Sequence, residues 1–419
     1  MTDPNDALAA RLRERESRNV TFFTRDFPVF WESARGAKVR DAGGKEYVDL
    51  TSAFGVANVG HANARVVAAA ARQARRLVHG MGDVHPSEVR VRLLERLCEI
   101  GPAPLEKAYL ATTGSEAVEA AMKTAVLATG KSHFAAYRGA YHGLSLGTLA
   151  VGGIERFKTP FAGALGPQAL LLEYPDADVV DAATAARATH DALAARDDIA
   201  AVLVEPIQGR AGCIVPPAGY LTALREICDT LGILMIADEI YTGFGRTGEW
   251  FAVNRERVVP DLLCIGKAMG GGFPISALLG TARVMDAWPL TRGEALHTST
   301  YLGHPVACAA ALATLDELQR RRLPERAARL GESLGRRLRR LATHPAVMGV
   351  RGRGLLWGLR LGDAAAAWGI VERSLQAGII LLQSGVEGDV LTIAPPLVIA
   401  ARDLQRAMDV LEGAIEAAG

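Results

Sequence analysis

Short apolar runs that alternate with helix-like stretches constrain the fold of this chain more than any other feature. Residues 200–204, 233–237 and 262–265 each read as a strand that is buried on both faces. Buried strands separated by helices predict an α/β domain. Near residue 305 the order changes to helices followed by short strands, which predicts a separate C-terminal portion.

Two of these runs deliver polar side chains at their ends. Asp238 follows residues 233–237, and Lys267 comes 29 residues later, just after residues 262–265. Adjacent strand ends in an open α/β sheet face one cleft, where ligands bind. Burial of a lysine lowers its pKa and makes its amine a nucleophile. The three glycines at 270–272 would let a bulky ligand come close to it.

A carboxylate and an amine in one cleft are what a pyridoxal 5'-phosphate site needs. The lysine forms a Schiff base with the cofactor, and the aspartate keeps the pyridine nitrogen protonated. The chain has seven lysines, and the other six lie in polar or turn-like surroundings. Two plainer interpretations stay open at this point: Lys267 could simply end a strand, and Asp238 could cap the next element.

Two further stretches have the character of binding loops. A short strand runs into Gly114 and Ser115, where an alanine-rich helix begins at once. The N-terminus of such a helix binds anions, although a Thr or Ser before a Glu is also an ordinary helix cap. Tyr141 and His142 form an aromatic pair at a loop, which could stack on a planar cofactor or belong to the core.

Composition excludes several classes of protein. Forty-seven basic and 46 acidic side chains give a net charge of +1, which argues against nucleic acid or an anionic membrane as a partner. Five cysteines, an odd number without a CxxC pair, suit a reducing compartment, so we expect the cytoplasm. The charged N-terminus and the absence of a long apolar run predict neither a leader nor a membrane span. The nine histidines show no metal-binding spacing, so no metal site is expected.

With these residues in place, the sequence resembles the class III (ω-type) aminotransferases of fold type I over nearly its whole length. The matching motifs, in chain order, are Thr113-Gly114-Ser115-Glu116-Ala117, Tyr141-His142-Gly143, Glu205-Pro206-Ile207-Gln208-Gly209, Asp238-Glu239, Gly243-Phe244-Gly245-Arg246-Thr247-Gly248, Lys267 with its glycines, Ser299-Thr300 and Arg351-Gly352-Arg353-Gly354.

The resemblance implies a two-domain architecture of the α/β class. Residues 61–304 would form a large cofactor-binding domain with a mostly parallel seven-stranded sheet flanked by helices. Residues 1–60 and 305–419 would form a smaller α+β domain built from both termini. The aromatic segment at residues 21–31 would belong to the core of that domain or to the wall of the pocket.

The resemblance also implies roles for individual residues. Lys267 would be the Schiff-base lysine, and Asp238 would pair with the pyridine nitrogen. Thr300 would reach the cofactor phosphate of a neighbouring subunit, which implies a homodimer with active sites at the interface. The remaining cofactor contacts are Gly114 and Ser115 for the phosphate, Tyr141 stacked on the ring, Gln208 at the ring hydroxyl, and His142, Glu205 and Ile240 around them.

Three positions depart from the family pattern, and all of them concern the substrate. The arginine that follows the Tyr-His-Gly motif in some members is Leu144, and the arginine expected three residues before Pro-Pro-Leu is Thr392. The glutamate that usually follows Gln-Gly is Arg210. We expect Arg210 to bind an acidic group of a substrate, unless it points to solvent, and the pocket beside Leu144, Thr392 and Phe54 to take an uncharged substituent.

The resemblance implies transfer of an amino group from an amine, ω-amino acid or amino acid donor to a 2-oxo acid by a ping-pong mechanism. The same site could instead support an amino-acid epimerase or racemase, or a phospho-lyase, of the same family. A cofactor-free binding protein is a third possibility, which the pairing of Lys267 with Asp238 argues against.

Overall fold

A computed structural model describes residues 3–21 and 28–417. Residues 22–27 of the aromatic segment lie outside this part of the chain. The strands are β1 (Trp31–Arg35), β2 (Lys38–Asp41), β3 (Glu46–Asp49), β4 (Lys107–Ala111), β5 (His133–Tyr137), β6 (Leu170–Leu172), β7 (Ile199–Val204), β8 (Leu234–Asp238), β9 (Leu262–Ile265), β10 (Ser276–Gly280), β11 (Val347–Arg353), β12 (Leu356–Leu361), β13 (Ile379–Ile380), β14 (Leu382–Ser384) and β15 (Val390–Ile393).

The helices alternate with these strands through the middle of the chain. They are α1 (Pro4–Arg15), α2 (Ser52–Gly55), α3 (Ala64–Arg76), α4 (Glu88–Ile100), α5 (Gly114–Thr129), α6 (Leu146–Ala150), α7 (Glu155–Lys158), α8 (Ala182–Ala194), α9 (Tyr220–Leu231), α10 (Ala282–Met285), α11 (Pro305–Arg320), α12 (Leu323–Leu341), α13 (Ala364–Gln376) and α14 (Ala401–Glu416). Among the described helices, none has the length and apolar character needed to cross a lipid bilayer.

The large sheet has seven strands in the order β4-β10-β9-β8-β7-β5-β6. Strand β10 is antiparallel to both of its neighbours, and the other pairs are parallel. The three apolar runs of the sequence correspond to β7, β8 and β9, in which every residue is buried. The predicted mostly parallel seven-stranded sheet is therefore confirmed.

Both faces of this sheet are covered, as buried parallel strands require. Successive side chains of a strand point to opposite faces, so alternate residues of β8 join different clusters. Ile236 packs with Ala121 of α5, whereas Met235 and Ala237 pack in the cluster that contains Leu224 of α9. Helices packed on both faces of the sheet thus fix the strand ends that carry the polar residues.

The N-terminal and C-terminal segments of the chain meet in a second sheet, ordered β1-β2-β3-β13. Strands β2 and β3 form an antiparallel hairpin, and Gly44 adopts a φ of +86° in its turn. Strand β13 pairs with β3 in parallel across more than 300 residues of sequence. A third, antiparallel sheet has the order β11-β12-β15-β14. The small domain is thus built from both termini, as expected.

The exact domain boundaries at residues 60 and 304 stay predictions. Helix α11, which begins the predicted C-terminal part, packs against α3 and α4 as well as against α12. Helix α11 therefore contacts elements on both sides of the predicted boundary at residue 304.

A buried arginine connects the large sheet to both parts of the small domain. Arg246, in the loop after β8, is fully buried. Its Nη1 donates to the carbonyl oxygens of Leu355 at 2.8 Å and Pro395 at 2.7 Å. Its Nη2 donates to Ser52 Oγ at 2.9 Å and to Asn58 Oδ1 at 2.5 Å. Burial lowers the pKa of Arg246 to about 10, so this cation depends on its acceptors.

Candidate active site

Lys267 and Asp238 lie at the same edge of the large sheet. Strands β8 and β9 are parallel neighbours, and Asp238 is in register with Cys264 of β9. Lys267 follows the end of β9 after one glycine and has a φ of +41°, in the left-handed region that side chains rarely adopt. The carboxylate and the amine therefore lie at adjacent strand ends, as expected.

A cavity of about 660 Å³ opens at this edge, a volume within the usual range for ligand pockets. Most of the residues expected to bind cofactor or substrate line it. They are Phe54, Gly114, Ser115, Tyr141, His142, Leu144, Glu205, Arg210, Asp238, Ile240, Lys267 and Thr392. A second cavity, of about 640 Å³, lies against residues 288–297 and contains none of the predicted site residues.

Two residues expected at the site lie outside the lining of this cavity. The Gln208 side chain is buried, and its Nε2 donates to the carbonyl oxygen of Arg138 at 2.9 Å. Thr300 is exposed in the turn before α11. Its expected role concerns a neighbouring subunit, so exposure is compatible with it. The contacts assigned to Gln208 and Thr300 remain predictions.

The Lys267 amine is placed for chemistry at the wall of the cavity. Burial lowers the pKa of its ammonium below the usual 10.5, although the negative charges of Asp238 and Glu205 oppose that shift. Its Nζ lies 4.4 Å from the ring centroid of Tyr241. A lower pKa increases the fraction of neutral amine, which is the nucleophilic form.

Asp238 is held in an orientation that suits its charged form. Its Oδ2 lies 2.8 Å from Nδ1 of His142, and its Oδ1 accepts a hydrogen bond from the backbone N–H of Ile240 at 3.0 Å. Burial alone would lower the pKa of His142, but the hydrogen bond and charge of Asp238 raise it overall. A carboxylate with this support can stabilise a protonated ring nitrogen.

Glu205 connects two loops of the cavity wall. Its Oε1 accepts a hydrogen bond from the N–H of Tyr141 at 2.9 Å, and its Oε2 accepts one from the N–H of Gly209 at 3.1 Å. Burial raises the pKa of Glu205 to about 7, against the effects of His142 and these two amides. The carboxyl group therefore fixes the loop of Tyr141 relative to the turn that carries Arg210.

The first turn of α5 offers two backbone amides to the cavity. Thr113 and Glu116 form a capping box, in which Glu116 N–H donates to Thr113 Oγ1 at 3.3 Å and Thr113 N–H donates to Glu116 Oε2 at 3.0 Å. The amides of Gly114 and Ser115 precede this bond in the same turn, at the positive end of the helix dipole. A Cβ on Gly114 would lie 2.8 Å from Cδ1 of Ile240, so a larger residue there would have to displace the Ile240 side chain. This cradle has the size and polarity that a phosphate needs.

Sequence reasoning missed Tyr241, which forms the floor beneath Lys267. A Cβ on either Gly55 or Gly209 would overlap the Tyr241 ring, so the two glycines hold its opposite edges. The sequence signal was a pair of glycines in separate loops, and for Gly55 a backbone φ of +82° is already a local reason for glycine. Phe157, Gln383 and Ser384 also line the cavity and were missed, because they come from distant segments.

The expectation about the other lysines needs one correction. Lys158 is also buried, with a side chain only 2 % exposed, and its Nζ lies 3.7 Å from Oε1 of Glu155. Lys158 is therefore a buried lysine beside an acidic side chain rather than a residue of a surface turn, because α7 turns it into the protein. Lys158 does not belong to the cavity lining.

Comparison with known proteins agrees with this geometry. The family model described as "Aminotransferase class-III" matches residues 23–415. The chain belongs to the class III aminotransferase family. It is a pyridoxal 5'-phosphate-dependent aminotransferase, as the sequence predicted.

Named relatives and solved structures cover nearly the whole enzyme. It is 37% identical to an acetylornithine aminotransferase of Methanosarcina mazei, over 92% of this chain and 92% of that relative. It is also 37% identical to a putrescine aminotransferase of Pectobacterium atrosepticum, over 92% of this chain and 82% of that relative. A structure of Toxoplasma gondii ornithine aminotransferase with partial occupancy of the cofactor at its active site has a TM-score of 0.89 at 31% identity, covering 99% of this chain and 95% of that one. These aminotransferases do not favour the epimerase or phospho-lyase alternatives.

The residues present fit the cofactor. The cavity holds an amine with a lowered pKa, a supported carboxylate, and a helix N-terminus with a glycine cradle. Among the described residues, no group of three or more His, Cys, Asp or Glu side chains could hold a metal ion.

Proposed function

We propose that Lys267 and Asp238 carry out amino-group transfer in this cavity, with the cofactor between them. The observation that supports this most is their position on adjacent strand ends, the amine desolvated and the carboxylate fixed by His142. When bound, pyridoxal 5'-phosphate supplies the aldehyde and an electron-accepting ring. Lys267 would hold the cofactor through its amine, and as general base and acid it would move a proton from the substrate carbon to a carbon of the cofactor.

The other residues of the cavity would orient the cofactor. Gly114 and Ser115 would hold the phosphate at the start of α5, and Ile240 would close the space beside Gly114. Tyr141 would stack on the ring, with its loop fixed by Glu205. Gln208, whose buried Oε1 has no hydrogen-bond partner, would reach the ring hydroxyl.

The proposed assembly is a homodimer in which Thr300 contacts the phosphate bound by the neighbouring subunit. In support of this, large apolar side chains are exposed close to Thr300 in the sequence: Leu290 is 90% exposed, Leu296 74% and Tyr301 59%. Exposed apolar patches of this kind mark protein interfaces. Sedimentation would test the dimer, and weaker cofactor retention in Thr300→Ala would test the contact.

The proposed location is the cytoplasm. All five cysteines of the chain are free, and four of them are buried. Free thiols persist in a reducing compartment. Fractionation of cells that produce the tagged protein would test this location.

The proposed reaction transfers an amino group from an amine, ω-amino acid or amino acid donor to a 2-oxo acid acceptor. Names of relatives point to acetylornithine, putrescine or ornithine as donors. Those assignments do not transfer directly, because Leu144 and Thr392 stand where members of the family carry arginines, and Arg210 stands where a glutamate is usual.

The test is to incubate the holoenzyme with a panel of amino acids and amines, each with pyruvate or 2-oxoglutarate. We expect a new amino acid to form from the acceptor in equal amount to the oxo product of the donor. Repeated conversion of one substrate with no acceptor present would instead identify an epimerase or a lyase.

A further inference from the structure

Arg210 is a cation without a partner in the wall of the cavity. Its Nη1 is buried and has no hydrogen-bond partner, and its side chain forms no ion pair within residues 3–21 and 28–417. Burial lowers the pKa of Arg210, and the nearby positive charge of Arg156 adds to that effect. A partly desolvated guanidinium in this state is stabilised by an anion that enters the cavity.

The acids of the cavity are not free to neutralise this arginine. Both oxygens of Glu205 accept backbone hydrogen bonds, from Tyr141 and Gly209. Asp238 is bound to His142 and to the amide of Ile240. Neither of these acids is therefore free to pair with Arg210, and an anionic ligand that enters the cavity would supply the counter-ion.

The neighbouring wall of the cavity carries no charge. The hydroxyl groups of Thr392 and Ser384 lie 2.6 Å apart and satisfy one another. Leu382 is paired with Thr392 across β14 and β15, and Leu144 and Phe157 add further apolar surface to the lining of the cavity. A second charged group on the substrate would have no ionic partner here, whereas an aliphatic or aromatic side chain would fit.

We propose that Arg210 binds the carboxylate of both substrates in turn, so that the amino donor is an amino acid with an uncharged side chain rather than a simple amine. This inference rests on the proposed function. Both substrates use one site in successive half-reactions, and the acceptor is a 2-oxo acid whose carboxylate needs a cation. A donor without a carboxylate would leave Arg210 desolvated and unpaired, because the wall has no acid to replace it.

The test compares donors that differ only in the carboxylate, each with the same 2-oxo acid. Suitable pairs are alanine with ethylamine, 3-aminobutanoate with isopropylamine, and 4-aminobutanoate with propylamine, which place the carboxylate at increasing distance from the amine. For at least one pair, we expect kcat/KM to favour the carboxylate donor by about tenfold or more, the effect of one charge-assisted pair. In Arg210→Gln this preference should fall towards one.

Two further variants distinguish an ion pair formed by the Arg210 guanidinium from a general effect of positive charge near the cavity. Arg156→Gln removes an exposed neighbouring arginine that stacks on Phe157 and lies outside the cavity lining, so the preference should persist. Arg210→Lys keeps the charge but loses the planar fork, so the preference should be intermediate. Circular dichroism would show that each variant is folded.

Binding of non-reactive acids provides a readout that does not depend on turnover. Propanoate and benzoate should perturb the absorbance band of the wild-type holoenzyme more strongly than propanamide and benzamide, and this difference should vanish in Arg210→Gln. Equal use of amines and amino acids by the wild type, or an undiminished preference in Arg210→Gln, would overturn the inference while transamination still stood. Failure of every donor to aminate a 2-oxo acid would instead overturn the proposed function.

Discussion

Arg246, which is fully buried, and Arg210, which is only partly buried, show how differently the same side chain is used in two regions of this enzyme. The two terminal nitrogens of Arg246 each donate two hydrogen bonds, to acceptors from both parts of the small domain. The Nη1 of Arg210 is buried without any partner, at the wall of the cavity. Burial lowers the pKa of both side chains.

The difference separates residues that hold the fold from residues that meet a ligand. A buried charge with acceptors contributes to stability only as long as those acceptors remain, and removing it leaves them unsatisfied. A buried charge without acceptors is a cost to the ligand-free protein, which binding can offset. Lys267 belongs to the second group. Each of the following variants tests whether a residue stabilises the fold or contacts a ligand.

The largest effect is expected for Lys267→Ala. Turnover should fall by about four orders of magnitude or more, because the nucleophile and the proton carrier are both lost. The thermal midpoint of the ligand-free protein should change little, because the lowered pKa of Lys267 shows that its charge is poorly solvated there. Lys158→Ala is the matched control, since it removes a buried lysine that lies outside the cavity. Substantial steady-state transamination by Lys267→Ala would contradict the assignment.

Arg246→Leu should give the largest loss of stability. It leaves the carbonyl oxygens of Leu355 and Pro395, together with Ser52 and Asn58, without their donor, and we expect a loss of about 3 to 5 kcal/mol. Chemical denaturation of the ligand-free protein measures this directly. A change below about 0.5 kcal/mol would mean that the arginine does not join the two domains energetically.

Asp238→Asn should reduce activity strongly while leaving some cofactor bound. A neutral side chain cannot keep the ring nitrogen protonated, and the loss of such an electrostatic contact is worth about 10²- to 10³-fold in kcat. Its neighbour Glu239 is the control, because it accepts hydrogen bonds from Thr242 and the amide of Val253 and lies outside the cavity lining. Glu239→Gln should therefore cost stability rather than chemistry, and near-wild-type rates in Asp238→Asn would count against its role.

The smallest effect concerns the stability of Arg210→Leu. Removal of an unpaired, partly desolvated cation should leave the thermal midpoint of the ligand-free enzyme unchanged or slightly raised, in contrast to Arg246→Leu. Differential scanning calorimetry of the two variants side by side gives the comparison. A clear destabilisation by Arg210→Leu would show that the arginine has a structural partner, such as an acid from a second subunit.

Local sequence was sufficient for the parts of the site that depend on strands. The apolar runs before Asp238 and Lys267 have no alternative to burial, so their ends had to reach one edge of the sheet. The helix that begins at Gly114 could also be predicted, because the residues that cap it lie within a few positions of its start. These features follow from periodicity and capping alone.

Contacts between distant segments could not be obtained in this way. The Tyr241 ring is held between Gly55 and Gly209, and the hydroxyl pair of Ser384 and Thr392 forms across two strands of the small domain. The burial of Lys158 likewise depends on how α7 packs. In each case the partner is chosen by the tertiary fold, and no local pattern identifies it.

The most direct test of the central claim is to find which lysine holds the cofactor. Borohydride reduction of the holoenzyme makes the link between cofactor and lysine permanent, and mass spectrometry of the resulting peptides locates it. We predict a single phosphopyridoxyl group, on Lys267, with Lys158 unmodified. A modified Lys158, or a peptide containing Lys267 that carries no added mass, would contradict the account.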